Sequence, residues 1–151
     1  MKLRELVGAG DHIGLAFLPF AVIGLVLNFI YPEVFKVGGP TEWLRILSIG
    51  VLAIGVVAWA WSVVLIVARV PRGELITTGP FTVVRHPLYT SAALLVLPWL
   101  GFLLNSWLGA VLGMVLYLAA RRFETDEDAQ LANKFDGAWE DYRAGVLLPG
   151  L

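Results

Sequence analysis

The sequence predicts an all-α integral membrane protein, a helical bundle with about four membrane segments and an amphipathic helix near the C-terminus. Hydrophobic residues make up 58% of the chain and charged residues only 15%, whereas soluble domains average about 45–50% and about 25%. Residues 13–31, 46–68 and 87–120 carry no charge at all. A soluble domain of 151 residues has too little interior to hide this much apolar surface, so lipid is the expected solvent.

The first two uncharged stretches have the length of membrane-spanning helices. Residues 13–31 number 19, with Asn28 as their only strongly polar side chain, and residues 46–68 number 23. At about 1.5 Å per residue, each can cross a hydrocarbon core of roughly 30 Å. Residues 32–45 contain two glycines, two prolines and mixed charges, which predicts a loop. No small-x-small cleavage pattern follows the first stretch, so we interpret it as a retained anchor rather than a signal peptide.

The third uncharged stretch, residues 87–120, predicts a helical hairpin. Its 34 residues would form a helix on the order of 50 Å long, too long for a single crossing. Asn105-Ser106, near its middle, is typical of a helix stop followed by a restart. We therefore expect arms at about residues 88–104 and 107–123, with a kink at Pro98 in the first arm. Because the arms are short, they are either tilted or only partly inserted.

Basic residues are distributed unevenly between the two ends that this topology defines. Two of them, Lys36 and Arg45, would lie at one end. Nine would lie at the other, namely Lys2, Arg4, Arg69, Arg72, Arg85, Arg121, Arg122, Lys134 and Arg143. The positive-inside rule then predicts cytoplasmic N- and C-termini. We expect one domain over residues 1–151, embedded in a cell inner membrane.

The remaining composition narrows the classes of function. A net charge of -1 provides no basic field of the kind that attracts nucleic acid. The absence of cysteine excludes disulfides, thiolate metal ligands and a cysteine nucleophile. The two histidines, His12 and His86, are far apart in sequence, so we expect no metal site. The spans contain no ionisable residue, which disfavours a transporter or channel.

The C-terminal tail, from Arg121 onward, predicts an amphipathic helix. Its apolar residues recur at spacings of four, four and three, which places them on one helical face; they are Leu131, Phe135, Trp139 and Tyr142. Three acidic residues, 126–128, are expected in its first turns, where negative charge suits the helix dipole. We expect the helix to lie on the membrane surface or to cap the bundle.

The hairpin has a functional consequence, because it returns the chain to the end of the membrane that it left. Arg85-His86 would then face the acidic segment 121–128 at the mouth of the bundle. This arrangement suits a zwitterionic cofactor, whose carboxylate would meet Arg85 or His86 and whose amine and ribose hydroxyls would meet Glu127 or Asp128. Alternatively, Arg85 and His86 serve only as a basic flank that anchors the next helix.

Two signatures carry a family resemblance that extends from about Gly73 to the end of the sequence. The first is Gly79-Pro80-Phe81, followed by Arg85-His86-Pro87-Leu88-Tyr89. The second is Glu127-Asp128, followed at matching spacing by Phe135-Asp136-Gly137-Ala138-Trp139 and Tyr142. In order, and joined by an apolar hairpin, they resemble the signatures of the isoprenylcysteine carboxyl methyltransferase family, which is related to phospholipid N-methyltransferases.

The resemblance implies S-adenosylmethionine as the methyl donor and a lipid-like or isoprenoid methyl acceptor. It implies catalytic roles for Arg85, His86 and Glu127. It also implies a cofactor site within residues 73–151 that is formed by Arg85, His86, Pro87, Tyr89, Glu127, Asp128, Leu131 and Trp139. The sequence departs from the family pattern at Asp128, Asp136 and Trp139, where the family has Glu, Gly and Tyr. The first two departures affect the geometry expected for the tail.

Several alternatives stay open at the level of sequence. The acceptor could be a prenylated cysteine, a phosphatidylethanolamine, another isoprenoid acid or a small apolar thiol. A non-enzymatic membrane assembly protein of the same fold is a second hypothesis, and absent donor binding would favour it. A nicotinamide-dependent reductase ranks lower, because no Gly-rich dinucleotide turn is present. The Gly109-x-x-x-Gly113 pair predicts close helix packing, either inside the hairpin or between the subunits of a homo-oligomer.

Overall fold

The computed structural model describes residues 10–151, so Lys2 and Arg4 lie outside the described residues. Over this range the chain is helical and contains no named β-strand, which confirms the all-α prediction. Two short 3-10 turns, Val70–Arg72 and Gly79–Thr82, lie between the third and fourth helices. The helices, numbered in chain order, are α1 (Gly10–Ile30), α2 (Pro32–Phe35), α3 (Glu42–Arg69), α4 (Pro87–Leu103), α5 (Leu108–Phe135) and α6 (Gly137–Gly145).

The two predicted spans are confirmed as α1 and α3. The most apolar 18-residue window within Asp11–Ile30 has a mean hydropathy of 2.4, and that within Glu42–Arg72 one of 2.6. Only 6% and 11% of their most apolar windows are buried inside the protein. Their apolar side chains therefore face outward, which lipid satisfies and water does not. The prediction that residues 32–45 form only a loop is wrong in part, because Pro32 starts the short helix α2 at a favourable N1 position and α3 begins at Glu42.

The predicted hairpin is confirmed as α4, a tight turn and α5. Asn105 adopts a left-handed backbone with φ 58°, a conformation that Asn tolerates better than most residues. The hydroxyl of Ser106 accepts a hydrogen bond of 3.2 Å from the Leu108 amide and so begins the next helix. A side chain at Gly109 or Gly113 would collide with backbone carbonyls of α4. The glycine pair therefore packs inside the hairpin, which decides between the two alternatives left by the sequence.

The first arm of the hairpin is irregular just before Pro98. Residues Ser91–Val96 are π-helical, and the α-helix resumes at Leu97. Proline has no amide proton to bond to the preceding turn, and that turn is free to widen. The widened segment carries Leu95 against Gly55 of α3, where an added Cβ would lie 2.6 Å from the Leu95 Cβ. This contact fixes α4 against the second span.

The tail differs from its prediction. Helix α5 runs without interruption from Leu108 to Phe135, so residues 126–128 lie in its interior rather than in the first turns of a separate helix. Asp136, with φ 44° and ψ -122°, then breaks the helix. The predicted amphipathic helix near the C-terminus is present as α6. The predicted continuous face over residues 131–142 is wrong, because Leu131 and Phe135 belong to α5 whereas Trp139 and Tyr142 belong to α6. The charged stretch after the membrane has good helix formers and no breaker, so propensity carries α5 beyond the bundle.

The two ends of the bundle are organised differently. At one end the loop after α1 is tied to the hairpin turn, because Trp107 Nε1 donates to the Val34 carbonyl at 2.8 Å and the Gly39 amide donates to Asn105 Oδ1 at 2.7 Å. The other end gathers the loop before α4, the extension of α5, and α6. The candidate site lies at this second end.

Candidate active site

The loop that precedes α4 is shaped by a 3-10 turn over Gly79–Thr82. Gly79 has φ 64°, and a Cβ there would lie 3.1 Å from the indole of Trp61, so both backbone angle and space favour glycine. The loop ends at His86, whose φ of -121° and ψ of 63° keep it out of the helical region that a following proline disfavours. Pro87 occupies the first position of α4, where its missing amide proton costs nothing. Arg85 and His86 are thereby presented directly above the hairpin.

The Arg85 side chain is held by two partners from distant parts of the chain. Its Nη1 donates to Asp128 Oδ2 on α5, and its Nη2 donates to the Pro149 carbonyl at 2.9 Å. Its Nε is buried without a hydrogen-bond partner among residues 10–151. The side chain is only 10% exposed, so the guanidinium is enclosed and its charge is paired.

The imidazole of His86 lies between two carboxylates of α5. Its Nε2 is 3.0 Å from Asp128 Oδ1, and its Nδ1 is 3.9 Å from Glu127 Oε2. Asp128 therefore uses one oxygen for Arg85 and the other for His86. The predicted meeting of the Arg85-His86 pair with the acidic pair of α5 is present in the structure, and Asp128 is its centre.

Burial and charge shift the pKa values of the two groups that face each other here. Burial alone would lower the pKa of His86, but the hydrogen bond to Asp128 and the charge of Glu127 outweigh it and raise the pKa above 6.5. Burial raises the pKa of Glu127 above 4.5, and neighbouring Asp128 adds to this while His86 opposes it. Both His86 and Glu127 therefore keep a proton to a higher pH than the same groups do in water.

A cavity of about 500 Å³ opens beside these residues. Seven of the residues implied by the resemblance line it, namely Arg85, His86, Pro87, Tyr89, Glu127, Leu131 and Trp139. Asp128 lies behind this wall and reaches the cavity only through Arg85 and His86. Tyr142 closes another side by donating a 2.8 Å hydrogen bond to the Phe81 carbonyl, and burial raises its pKa to about 12.

Sequence reasoning missed several residues that line this cavity. Gln130 and Lys134 follow Glu127 on the same face of α5, and a continuous helix through residue 135 would have identified them. Glu74 lies in the loop after α3, and no motif indicates its position. The other missed lining residues are Ile66, Val70, Leu75, Ile76, Phe81, Leu88 and Phe135.

A second, apolar groove of about 830 Å³ lies between α3 and α4. Its walls include Val57 and Trp61 of α3 and Leu94 of the π-helical segment. Pro87 lines both this groove and the polar cavity. The proline ring is therefore a shared wall between a charged chamber and an apolar one.

The last residues form a strap across the loop that precedes α4. The amides of Leu147 and Leu148 donate to the carbonyls of Thr82 and Val83 at 3.2 and 2.8 Å. The strap carbonyl of Gly150 accepts a 3.0 Å hydrogen bond from Arg121 Nη1 of α5. Leu148 of the strap lines the apolar groove, and the Pro149 carbonyl accepts a hydrogen bond from Arg85 of the charged cavity. The strap therefore contacts both chambers. No sequence signal indicated it.

Residues 10–151 contain no cluster of three or more His, Asp or Glu side chains that could hold a metal ion. Within the site, Arg85 and His86 each pair closely with Asp128. His12, the second histidine, stacks on Phe123 with ring centroids 5.7 Å apart. The cavity presents charged side chains, hydrogen-bonding groups and aromatic rings to a ligand.

Two apolar spans and a helical hairpin define a membrane protein, with a charged cavity beside an apolar groove at one end of its bundle. The sequence profile of the isoprenylcysteine carboxyl methyltransferase (ICMT) family matches residues 44–133. The match covers more than half of the chain, and the chain belongs to this family of membrane methyltransferases. No curated protein and no solved structure matches the chain significantly.

The range of the family match differs from the resemblance in the two signatures. It begins inside α3, well before Gly73, and it ends at residue 133, just before Phe135. Helix α3, which supplies walls to both chambers, is thus part of the family domain. Trp139 and Tyr142 lie beyond the matched range, and their assignment depends on their positions at the cavity.

Proposed function

We propose that this protein transfers a methyl group from S-adenosylmethionine to a lipid-like or isoprenoid acceptor at the cytoplasmic face of the membrane. One observation carries the proposal. A charged cavity of cofactor size and an apolar groove open to the spans share a wall at Pro87. A polar methyl donor and an apolar methyl acceptor need two such neighbouring chambers.

The residues at the charged cavity fit S-adenosylmethionine chemically. The cofactor combines a cationic sulfonium, a zwitterionic amino acid, a ribose diol and an aromatic base. The cavity offers charges of both signs, with Glu127 as a carboxylate that accepts no hydrogen bond within residues 10–151. Phe81 and Tyr142 supply aromatic surface. When bound, S-adenosylmethionine supplies an activated methyl group, and no metal or cysteine nucleophile is needed to generate it.

The protein's own contribution is positioning and exclusion of water. An in-line displacement gains rate chiefly from holding the two partners in reacting geometry. Asp128 fixes the imidazole of His86, and Arg85 fixes Asp128. If the acceptor is a carboxylate, no base is required. If it is an ammonium group, a base must remove its proton, and Glu127 is the better candidate because its carboxylate lines the cavity and accepts no hydrogen bond within residues 10–151.

The acceptor would enter from the side, through the apolar groove. The groove lies between α3 and α4, two helices whose outer faces are apolar. An alkyl or isoprenoid chain in it would direct its polar end towards Pro87 and the charged cavity. We therefore propose that the protein acts on a substrate that is dissolved in the lipid bilayer. We also propose that the chain forms one domain and lies in an inner membrane. Among residues 10–151, seven basic residues would lie at the site end and two at the other, and this bias supports a cytoplasmic orientation.

The proposal is tested by titration calorimetry of the detergent-purified protein with S-adenosylhomocysteine. We expect binding to the wild type and to Lys36→Ala, which changes an exposed ion pair at the opposite end of the bundle. Arg85→Ala and Glu127→Ala should abolish binding, with circular dichroism establishing that each variant is folded. Wild-type affinity in both site variants would refute the assignment. No binding to folded wild type, in detergent and in lipid nanodiscs, would favour the non-enzymatic hypothesis.

A further inference from the structure

The charged cavity has a buried end and an open mouth. His86, 8% exposed, and the partly buried Glu127 form the inner end. Glu74, Gln130 and Lys134 line the same cavity but are exposed, so they lie at its mouth. Two helical turns of α5 separate Glu127 from Lys134, a rise of about 10 Å. A ligand that fills the cavity therefore meets one charged group inside and another at the mouth.

The cation nearest the inner end is already committed to other groups. Arg85 donates to Asp128 and to the Pro149 carbonyl, and its remaining Nε is buried away from solvent. Asp128 is likewise used on both oxygens, by Arg85 and by His86. The charge of Arg85 is thus already balanced by Asp128, so a ligand carboxylate gains less there than at a cation without a counter-charge. Arg85 and Asp128 together position the imidazole of His86.

The mouth of the cavity carries two charged side chains, Lys134 and Glu74, that are not held in a close ion pair within residues 10–151. Within residues 10–151, Lys134 forms no ion pair, and its Nζ lies 5.4 Å from the centre of the Phe135 ring. The carboxylate of Glu74 has one long contact, 3.9 Å to Arg69 Nη1. The two side chains line one cavity without pairing with each other. They form a complementary pair of sites for a ligand group that carries both charges.

Resting on the proposed function, we propose that Lys134 binds the α-carboxylate of S-adenosylmethionine and that Glu74 binds its α-ammonium group. The methyl group has to be offered towards the acceptor groove, which meets the cavity at Pro87. The amino-acid chain and the adenosine both extend away from that wall, and the opposite charges of Lys134 and Glu74 at the mouth match the amino-acid end. The sequence analysis expected the cofactor carboxylate at Arg85 or His86. The present assignment places it at Lys134, which no sequence signal indicated.

The test pairs a protein variant with a ligand variant. Calorimetry on the full chain in detergent measures the affinity of wild type and Lys134→Met for S-adenosylmethionine and for decarboxylated S-adenosylmethionine. Removing either the Lys134 ammonium or the ligand carboxylate should weaken binding roughly tenfold, the scale of a charge-assisted hydrogen bond at a partly exposed site. Removing both should weaken it no further, because the two changes remove the same contact. Lys134→Met should therefore bind the two ligands equally.

Two other variants act as controls. Lys36→Met removes the same type of side chain at the far end of the bundle and should leave all affinities unchanged. Glu74→Gln should weaken both ligands by the same factor, since both retain the ammonium group. Wild-type affinity of Lys134→Met for S-adenosylmethionine, or losses that multiply when both partners change, would overturn the assignment while leaving the proposed function intact. A wild type that binds neither ligand would overturn both.

Discussion

Asp128 connects the two signature segments, and its replacement by asparagine tests how much of the site depends on that connection. Asn has the shape of Asp but no charge, so Asp128→Asn leaves the Arg85 guanidinium enclosed without a counter-charge. Arg85 is 10% exposed and Asp128 17% exposed, which makes this a largely buried pair. Removal of one partner from such a pair costs about 3–5 kcal/mol. We expect about 3 kcal/mol, at the low end, because the Asn carbonyl still accepts one hydrogen bond.

The assay is thermal unfolding of the detergent-purified protein. For a chain of this length, about 3 kcal/mol corresponds to a fall in Tm of roughly 6–12 °C. Glu33→Gln, at the other end of the bundle, is the control. It breaks the 2.6 Å ion pair with Lys36, whose two side chains are 79% and 49% exposed, and exposed pairs contribute less than about 1 kcal/mol. An Asp128→Asn variant no less stable than the control would refute the reasoning that the pair is buried and essential.

Three further changes have predictable effects on unfolding. The folded-state pKa of His86 is raised, so its stabilisation is complete below pH 6.5 and is lost as pH rises through the folded-state value. His86→Gln should flatten that part of the wild-type stability profile, and an unchanged slope would exclude His86 as its source. Gly113→Ala should cost about 2–4 kcal/mol by collision inside the hairpin. Gly14→Ala, in open space, should instead be neutral or stabilising by up to about 1 kcal/mol. Equal effects of Gly113→Ala and Gly14→Ala on denaturant unfolding would contradict the close packing of Gly113 inside the hairpin. Asp136→Gly should stabilise the folded protein by about 1 kcal/mol, because glycine tolerates the positive φ at this position. Asp141→Gly, within α6, is the control and should destabilise the protein. The opposite order of stabilities would show that Asp136 is not strained.

The sequence was sufficient for the parts of the fold that depend on length and hydrophobicity. An uncharged stretch too long for one crossing had to turn, and Asn105 identified the turn because Asn accepts a left-handed backbone. Once the hairpin was in place, Arg85 and His86 had to return to the level of Glu127 and Asp128. Their meeting was therefore predictable without any knowledge of side-chain geometry.

The remaining features depend on tertiary structure that local patterns do not encode. The continuity of α5 was missed because charge after a membrane segment suggested a new element, although a helix satisfies its own backbone and needs no boundary at the lipid surface. That error concealed Gln130 and Lys134 as cavity residues. Glu74 and the carbonyl of Pro149 come from loop and strap, where only the folded chain sets the distance.

The arrangement explains in physical terms why an Arg-His-Pro sequence is useful at the start of a membrane hairpin. Proline lacks an amide proton and fixes its own φ, so Pro87 can begin α4 at no cost in hydrogen bonds. It also keeps the backbone of His86 out of the α-helical region. The side chains of Arg85 and His86 thus stay outside the helix, where α5 supplies acidic partners. The proline ring then faces the cavity on one side and the groove on the other. A change at Pro87 would therefore alter both chambers at once, whereas a change at Lys134 or Trp61 reaches only one.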